Sequence, residues 1–118
     1  MKVNILGTDY NIRLLNADKD PHFQNGALCG YCSYTRKEIL LLNLACLDDW
    51  KNEQPDVIRE QQNETLRHEI IHAFLNESGL GANSIVTEQA WSQNEEMVDY
   101  FAAQFPKMLK AFKDAECI

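Results

Sequence analysis

Two histidines four residues apart, inside a stretch with a helical pattern, most constrain how this chain of 118 residues can fold. They stand in the run His68-Glu69-Ile70-Ile71-His72. Positions i and i+4 of an α-helix lie one turn apart on one face, so both imidazoles can reach a single metal ion. Zinc accepts neutral imidazole nitrogen readily, and one rigid helix holds two such ligands near the required separation. The run therefore predicts a zinc (Zn2+) site with His68 and His72 as two of its ligands.

Glu69, within the same run, indicates a catalytic metal site and not a purely structural one. Helix geometry rotates it by about 100° from His68, which places it beside the metal and not on it. From there its carboxylate can take a proton from a water molecule whose pKa zinc lowers to about 7. We therefore predict Glu69 as the general base of a hydrolytic reaction. The alternative interpretation is an ordinary pair of core or surface histidines on a helix.

Two histidines leave zinc short of a protein ligand, and the stretch 94–99 offers one. Glu95 is predicted to bind the metal. Asp99, four residues further on, is predicted to accept a hydrogen bond from the second ring nitrogen of a histidine. Two alternatives stay open: Glu96 binds the metal instead, or Glu95 belongs to a capping box that begins at Ser92 and only satisfies a backbone N–H.

The first third of the chain predicts four β-strands in two hairpins. Apolar and polar residues alternate around a turn at 7–9 in the first hairpin, and β-prone runs flank a polar tip in the second. The predicted strands are 3–6, 10–15, 29–34 and 38–43. Residues 39–42 are continuously apolar, as a buried helix start would also be, but the shortness of the run favours a strand. We place this last strand at the sheet edge, where an extended peptide can pair with it.

From Pro55 onwards the pattern is helical. Pro55 suits the first turn of a helix, and Gly79 suits the residue just past its end, so a long helix is predicted over 55–77. A second helix is predicted over 88–104, and Pro106 ends it or opens a third. Strands followed by helices favour the α+β class. We expect one domain over 1–118, with a small antiparallel or mixed sheet packed on the metal-binding helix.

Composition narrows the partners and the location. The formal net charge of −7 argues against nucleic-acid binding, which needs clustered Lys and Arg. No apolar stretch reaches membrane-spanning length, and the first residues lack the apolar core of a signal peptide, so a cytoplasmic location is expected. Four cysteines are few for a disulfide framework, and we interpret them as reduced thiols.

Other conspicuous residues have a secondary place in this interpretation. Cys29 and Cys32 form a Cys-x-x-Cys pair that can bind zinc or cycle as a dithiol, but packing cysteines are favoured because the pair falls in a predicted strand. His22 is predicted to be exposed in a polar loop. The oxyanion formed during peptide hydrolysis usually needs a further donor. The sequence does not choose among the four candidates, which are Tyr31, Tyr34, Arg36 and His22.

The His-Glu-x-x-His helix with the downstream Asn94-Glu-x-x-x-Asp99 is similar to the glutamate-zincin metallopeptidases. The small size, the hairpin before the helix and the stretch 95–103 leading to Phe105-Pro106 more closely resemble the ImmA/IrrE-like metallopeptidases of phages and mobile elements. The resemblance covers about residues 28–110 and is strong only at the two metal helices. It implies a zincin-like fold and zinc-dependent cleavage of a protein or peptide substrate. The alternative is a catalytically silent, phage-encoded zinc-binding accessory or interaction domain.

Overall fold

The computed structural model describes residues 1–82 and 91–118. Within these ranges the chain forms a four-stranded mixed sheet and two α-helices, so the α+β class is confirmed. The bounds are β1 (Lys2–Ile5), β2 (Thr8–Leu15), β3 (Gly30–Ser33), β4 (Glu38–Leu42), α1 (Pro55–Glu77) and α2 (Glu95–Asp114). Strands β1 and β2 form the first hairpin, and β3 and β4 form the second.

The first hairpin closes through a two-residue turn at Leu6 and Gly7. Their φ angles are 49° and 93°, the left-handed backbone that a type I′ turn needs at both central positions. Ile5 lies opposite Thr8 across the antiparallel pair. The hairpin is confirmed, but the predicted turn at 7–9 is too late because Thr8 already belongs to β2.

Strand β4 lies inside the sheet, and its predicted place at the edge is wrong. The strand order is β1-β2-β4-β3, in which β4 pairs parallel with β2 and antiparallel with β3. Ile39 and the three leucines after it are all buried. A continuous apolar run is typical of a strand that is covered on both faces, so the pattern of β4 itself indicates an interior strand. Among the described strands, β1 and β3 form the two edges of the sheet, and β3 is the edge beside β4.

Helix α1 packs across one face of the sheet and begins and ends as predicted. Pro55 occupies its first turn, and Gly79, with a φ of 88°, follows its last residues. Its contact with β3 is close, because a Cβ atom on Gly30 would lie 2.8 Å from Cγ2 of Thr65. The helix that carries the two histidines therefore lies directly against the edge strand.

Helix α2 begins at Glu95, later than predicted. The Asn94 side chain caps it by accepting a hydrogen bond from the Met97 N–H at 2.8 Å. Positions 88–90 of the predicted helix lie outside the described residues, and Trp91–Gln93 form a 3-10 turn. The N-cap is thus Asn94 and not Ser92, so the capping box at 92–95 is wrong. The Ser92 hydroxyl instead donates to the Leu80 carbonyl at 3.0 Å.

Pro106 lies inside α2, and the third helix predicted from it is part of this same helix. Proline has no N–H, so it cannot donate to the carbonyl of Ala102 four residues earlier. Arg67 of α1 replaces that donor: its Nε lies 2.7 Å from the Ala102 oxygen. The helix continues because a side chain distant in sequence satisfies the group that proline leaves without its helical partner.

Glu77, the last residue of α1, ties the helix to both hairpins. Its carboxylate accepts hydrogen bonds from the hydroxyls of Tyr10 (2.6 Å) and Thr8 (3.1 Å), and it also pairs with the Lys37 ammonium at the tip of the second hairpin. The hydrogen bond from Lys37, with those from Tyr10 and Thr8, holds the pKa of Glu77 below its ordinary value. The charged carboxylate therefore stabilises the fold.

We expect Glu77→Gln to lower the melting temperature at pH 7 and to matter less in acid. A carboxyl whose folded pKa is lowered contributes stability above its unfolded pKa, about 4.5, and loses it as pH falls through the folded value. Thermal unfolding followed by circular dichroism from pH 7 to pH 3 measures the difference. Asp48→Asn, at an exposed acidic position, is the control. A difference between wild type and Glu77→Gln that stays constant over this range would contradict the assignment.

Candidate metal centre

His68 and His72 project from α1 toward one point. Their Nε2 atoms lie 3.0 Å apart. The Glu95 carboxylate completes the group, with Oε2 3.0 Å from Nε2 of His68 and Oε1 3.2 Å from Nε2 of His72. One ligand atom from each residue lies within 4.8 Å of the other two, so the group can hold a metal ion.

The donor set is one that zinc accepts. Two imidazole nitrogens and one carboxylate oxygen are common zinc ligands, and a three-residue set leaves the fourth position open. With metal–ligand distances near 2.0–2.1 Å, neighbouring ligands of a tetrahedral zinc stand about 3.3 Å apart. Oε2 of Glu95 lies 3.0 Å from Nε2 of His68 and 3.3 Å from Nε2 of His72, and both separations are close to that value.

Asp99 orients the ring of His68. Its Oδ1 lies 2.8 Å from Nδ1 of His68. A proton on Nδ1 then donates to the carboxylate, and Nε2 keeps its lone pair facing His72 and Glu95. The sequence predicted that Asp99 would accept a hydrogen bond from one of the histidines, and in the structure that histidine is His68.

Glu95 and not Glu96 faces the histidines. Glu95 is the first residue of α2, and a carboxylate there is favoured by the positive end of the helix dipole. Glu96 is rotated by about 100° from it, is exposed and does not belong to the group. The structure thereby separates two residues that the sequence left as alternatives.

We expect Glu95→Gln to weaken zinc affinity by more than about tenfold, since even the outer partners of metal ligands cost about that much. Glu96→Gln removes the same charge one residue away and should change the affinity by less than about twofold. Competition with a chromophoric chelator measures both dissociation constants. The reverse order of effects would assign the ligand to Glu96.

Glu69 lies next to this group and is buried, with only 7% of its surface exposed. Burial raises the pKa of Glu69 to about 7, and the charge of Glu95 raises it further while His68 opposes the shift. A carboxyl group with a pKa near neutral can both accept and return a proton at physiological pH. Its position and chemistry suit a general base.

A cleft of about 530 Å³ runs between β3 and the two helices. The segment 29–32 lines one side, while Glu69 and the three residues of the metal group line the other. Within the described part of the chain, no strand pairs with the outer edge of β3. A second cavity of about 340 Å³ shares Tyr34, His72 and Glu95 with the cleft and is otherwise lined by polar residues that include Asn76 and Gln93.

Tyr34 is the oxyanion candidate that lines both cavities together with His72 and Glu95. Burial raises the pKa of Tyr34 to about 12, so its hydroxyl stays protonated and can donate a hydrogen bond at neutral pH. Tyr31 lines only the cleft, and its hydroxyl donates to Asp20 at 2.6 Å. Neither His22 nor Arg36 lines the cleft or the second cavity.

His22 is exposed as predicted, but it has a partner that the sequence analysis missed. Its Nδ1 lies 2.9 Å from Oδ1 of Asp20, and its ring packs on Tyr31 with the ring centroids 4.6 Å apart. Asp20 is buried, and its hydrogen bonds to Tyr31 and His22 hold its pKa below the ordinary value. The spacing of Asp20 and His22 allowed this contact, but no local pattern joins Asp20 to Tyr31 eleven residues away.

All four cysteines are free thiols. Cys32 packs against the core beneath α1, and burial raises its pKa to about 12, so the packing interpretation is confirmed for this residue. Cys29 is exposed and borders the cleft, so that interpretation is wrong for it. Neither thiol belongs to the metal group.

Comparison with known proteins adds no relative to this picture. No family model matches the chain, and no curated protein or solved structure matches it. The described helices include none that is long and apolar enough to cross a membrane. The metal group, Glu69 and the cleft are therefore the features of the chain that bear on its function.

Proposed function

We propose that this chain is a zinc-dependent metallopeptidase with a zincin-like fold. The observation that carries the proposal is the convergence of His68, His72 and Glu95 beside the buried Glu69, in a cleft bordered by an edge of β3 with which no strand of the described residues pairs. A purely structural zinc site needs no general base. Burying a carboxylate costs free energy, and a role in proton transfer explains why Glu69 is nevertheless buried in the cleft.

In this proposal His68, His72 and Glu95 hold the zinc ion, and Asp99 keeps the His68 ring in the tautomer that presents Nε2. When bound, zinc supplies Lewis acidity that polarises the substrate carbonyl and lowers the pKa of water. The exposed carboxylate of Glu95, at 64% of its side-chain surface, leaves the group open toward solvent and substrate.

Glu69 performs the proton transfers. Its carboxylate takes a proton from the attacking water and returns it to the nitrogen of the leaving amine, so the residue ends each cycle ionised. Burial favours its neutral form, which makes the return of the proton easier than it would be for an ordinary glutamic acid. The Tyr34 hydroxyl, protonated at neutral pH, donates a hydrogen bond to the developing oxyanion.

The substrate is an extended peptide that pairs with the outer edge of β3. Main-chain hydrogen bonds to a free strand edge give affinity without selecting a sequence, and side-chain pockets add selectivity. The four residues of β3 span about 13 Å, enough for roughly four substrate residues. This assigns to β3 the role that the sequence analysis gave to β4, whose two edges are both occupied.

One observation favours a second function, a zinc-binding interaction domain without peptidase activity. The Glu95 and Asp99 side chains are 64% and 70% exposed, and the cleft is open. A partner protein that covers them would complete such a site.

A peptide library distinguishes the two functions. Zinc-loaded protein is incubated with the library and the products are identified by mass spectrometry, with chelator-treated protein and the Glu69→Gln variant as controls. Cleavage that needs both zinc and Glu69 supports the peptidase. Peptide binding without cleavage by any of the three samples supports the interaction domain.

A further inference from the structure

Arg67 links the two helices that carry the metal group. Its Nε donates to the Ala102 carbonyl of α2 at 2.7 Å, and its Nη2 pairs with Glu60 of α1 at 3.0 Å. Three-quarters of its side-chain surface is covered, since 25% is exposed. Arg67 directly precedes His68 in the chain, so its hydrogen bond to α2 comes from the residue next to a metal-group histidine.

Three residues of α2 make polar contacts with α1 along one face of α2. Glu95 lies beside both His68 and His72, Asp99 lies beside His68, and the Ala102 carbonyl accepts a hydrogen bond from Arg67. Steps of four and three residues keep the α2 members on one face, one turn apart. Glu95 belongs to the metal group and Asp99 orients one of its histidines, whereas the third contact, at Ala102, lies beyond it.

The third contact is specified by Pro106. The carbonyl of Ala102 lacks its helical donor because residue 106 has no N–H, and Ala102 is 1% exposed, so water has little access. An unpaired buried acceptor is costly. Sliding or rotating α2 on α1 would separate this carbonyl from Arg67, and the helix therefore has one favoured register.

Glu95 and its neighbour on the same face, Asp99, need such a constraint. The Glu95 and Asp99 side chains are mostly exposed, so packing does little to hold them. Their distance from the histidines depends on where the α2 backbone lies. The bond at Ala102 fixes that backbone two turns from Glu95.

We propose that Arg67 is a positioning residue whose bond to the Ala102 carbonyl, left without a helical donor by Pro106, sets the register that brings Glu95 and Asp99 to His68 and His72. The inference rests on the metal centre of the proposed function. It predicts that Arg67, which belongs neither to the metal group nor to the lining of the cleft, controls zinc affinity.

The test compares the zinc affinity of wild type with that of Arg67→Met and two related variants, measured by chelator competition on protein shown to be folded by circular dichroism. Arg67→Met is expected to raise the zinc dissociation constant about 10–100-fold, the range for residues that orient metal ligands. Glu60→Gln, which removes only the partner of Arg67 on its own helix, should stay within about twofold. Arg67→Lys serves if the methionine variant does not fold, with a smaller loss in the same direction.

The double variant Arg67→Met/Pro106→Ala separates positioning from simple repair of the helix. Residue 106 can then donate to Ala102, so thermal stability should recover relative to Arg67→Met alone. Zinc affinity should stay low, because no bond joins α2 to α1 at this turn. Recovery of wild-type zinc affinity in the double variant, or equal affinity in wild type and Arg67→Met, would overturn the inference.

Amide hydrogen exchange in metal-free protein tells this failure from that of the metal centre. Faster exchange at 95–102 in Arg67→Met than in Glu60→Gln supports a register set by Arg67, even if wild type were found to bind no zinc. Unchanged exchange together with zinc binding by wild type would leave the metal centre standing and refute the role of Arg67.

Discussion

Bound zinc is expected to fall from about one ion per chain to none when His68 and His72 are both replaced by alanine. The substitution removes the two nitrogen donors of a three-residue group, and the remaining carboxylate of Glu95 is mostly exposed. A single hydrated carboxylate does not retain zinc through purification, whereas two imidazoles and a carboxylate do. Elemental analysis of protein purified without added metal measures the ratio.

The third histidine of the chain provides a matched control for this experiment. His22 contacts Asp20 and Tyr31, outside the metal group, so His22→Ala should leave the zinc content unchanged. The double variant should also keep its helical circular dichroism, which shows that zinc loss is not a result of unfolding. Equal zinc in wild type and His68→Ala/His72→Ala would rule out this group as the metal site.

Replacement of Glu69 by glutamine is expected to reduce peptide cleavage by about 10²–10⁴-fold, the usual contribution of a general base, while bound zinc stays near one per chain. Glutamine keeps the size of the side chain but has no carboxylate to accept a proton. Because Glu69 is buried and burial opposes its charge, the neutral side chain should fold at least as well. Initial rates on a cleaved library peptide, with zinc measured on the same samples, give both quantities.

Glu64→Gln is the control for the loss of one negative charge, since Glu64 also lines the cleft but does not belong to the metal group. It should retain most of the activity. Undiminished cleavage by Glu69→Gln would remove Glu69 from the mechanism. Loss of zinc along with cleavage would show that Glu69 supports the metal and not the proton transfer.

Local sequence signals were sufficient for α1 and its two histidines. Pro55 marks the start because its φ is fixed near the helical value and its missing N–H is not needed in the first turn, and Gly79 marks the end because it readily adopts a positive φ. The structure has the same bounds. The spacing of His68 and His72 places them on one face in any α-helix. These signals act within a few residues, so they do not depend on how distant segments of the chain pack.

The continuation of helix α2 past Pro106 could not be predicted from the local sequence. Pro106 is a helix breaker by its own chemistry, yet the helix passes through it because Arg67 supplies the missing donor from another element. That partner cannot be predicted from the residues near Pro106. The start of the helix at Glu95, by contrast, has a local cause in the Asn94 side chain that caps it.

The sequence by itself determined the strands of the two hairpins, the helix at 55–77, the pair of histidines and the identity of the candidate base. The tertiary structure decided that β3 and not β4 is the edge strand, that Glu95 and not Glu96 meets the histidines, and that Tyr34 borders the site. The physical reason is the distance along the chain over which each of these features is determined. Helix periodicity and backbone preferences are properties of a few consecutive residues, whereas strand order and convergence on a metal depend on where distant segments pack.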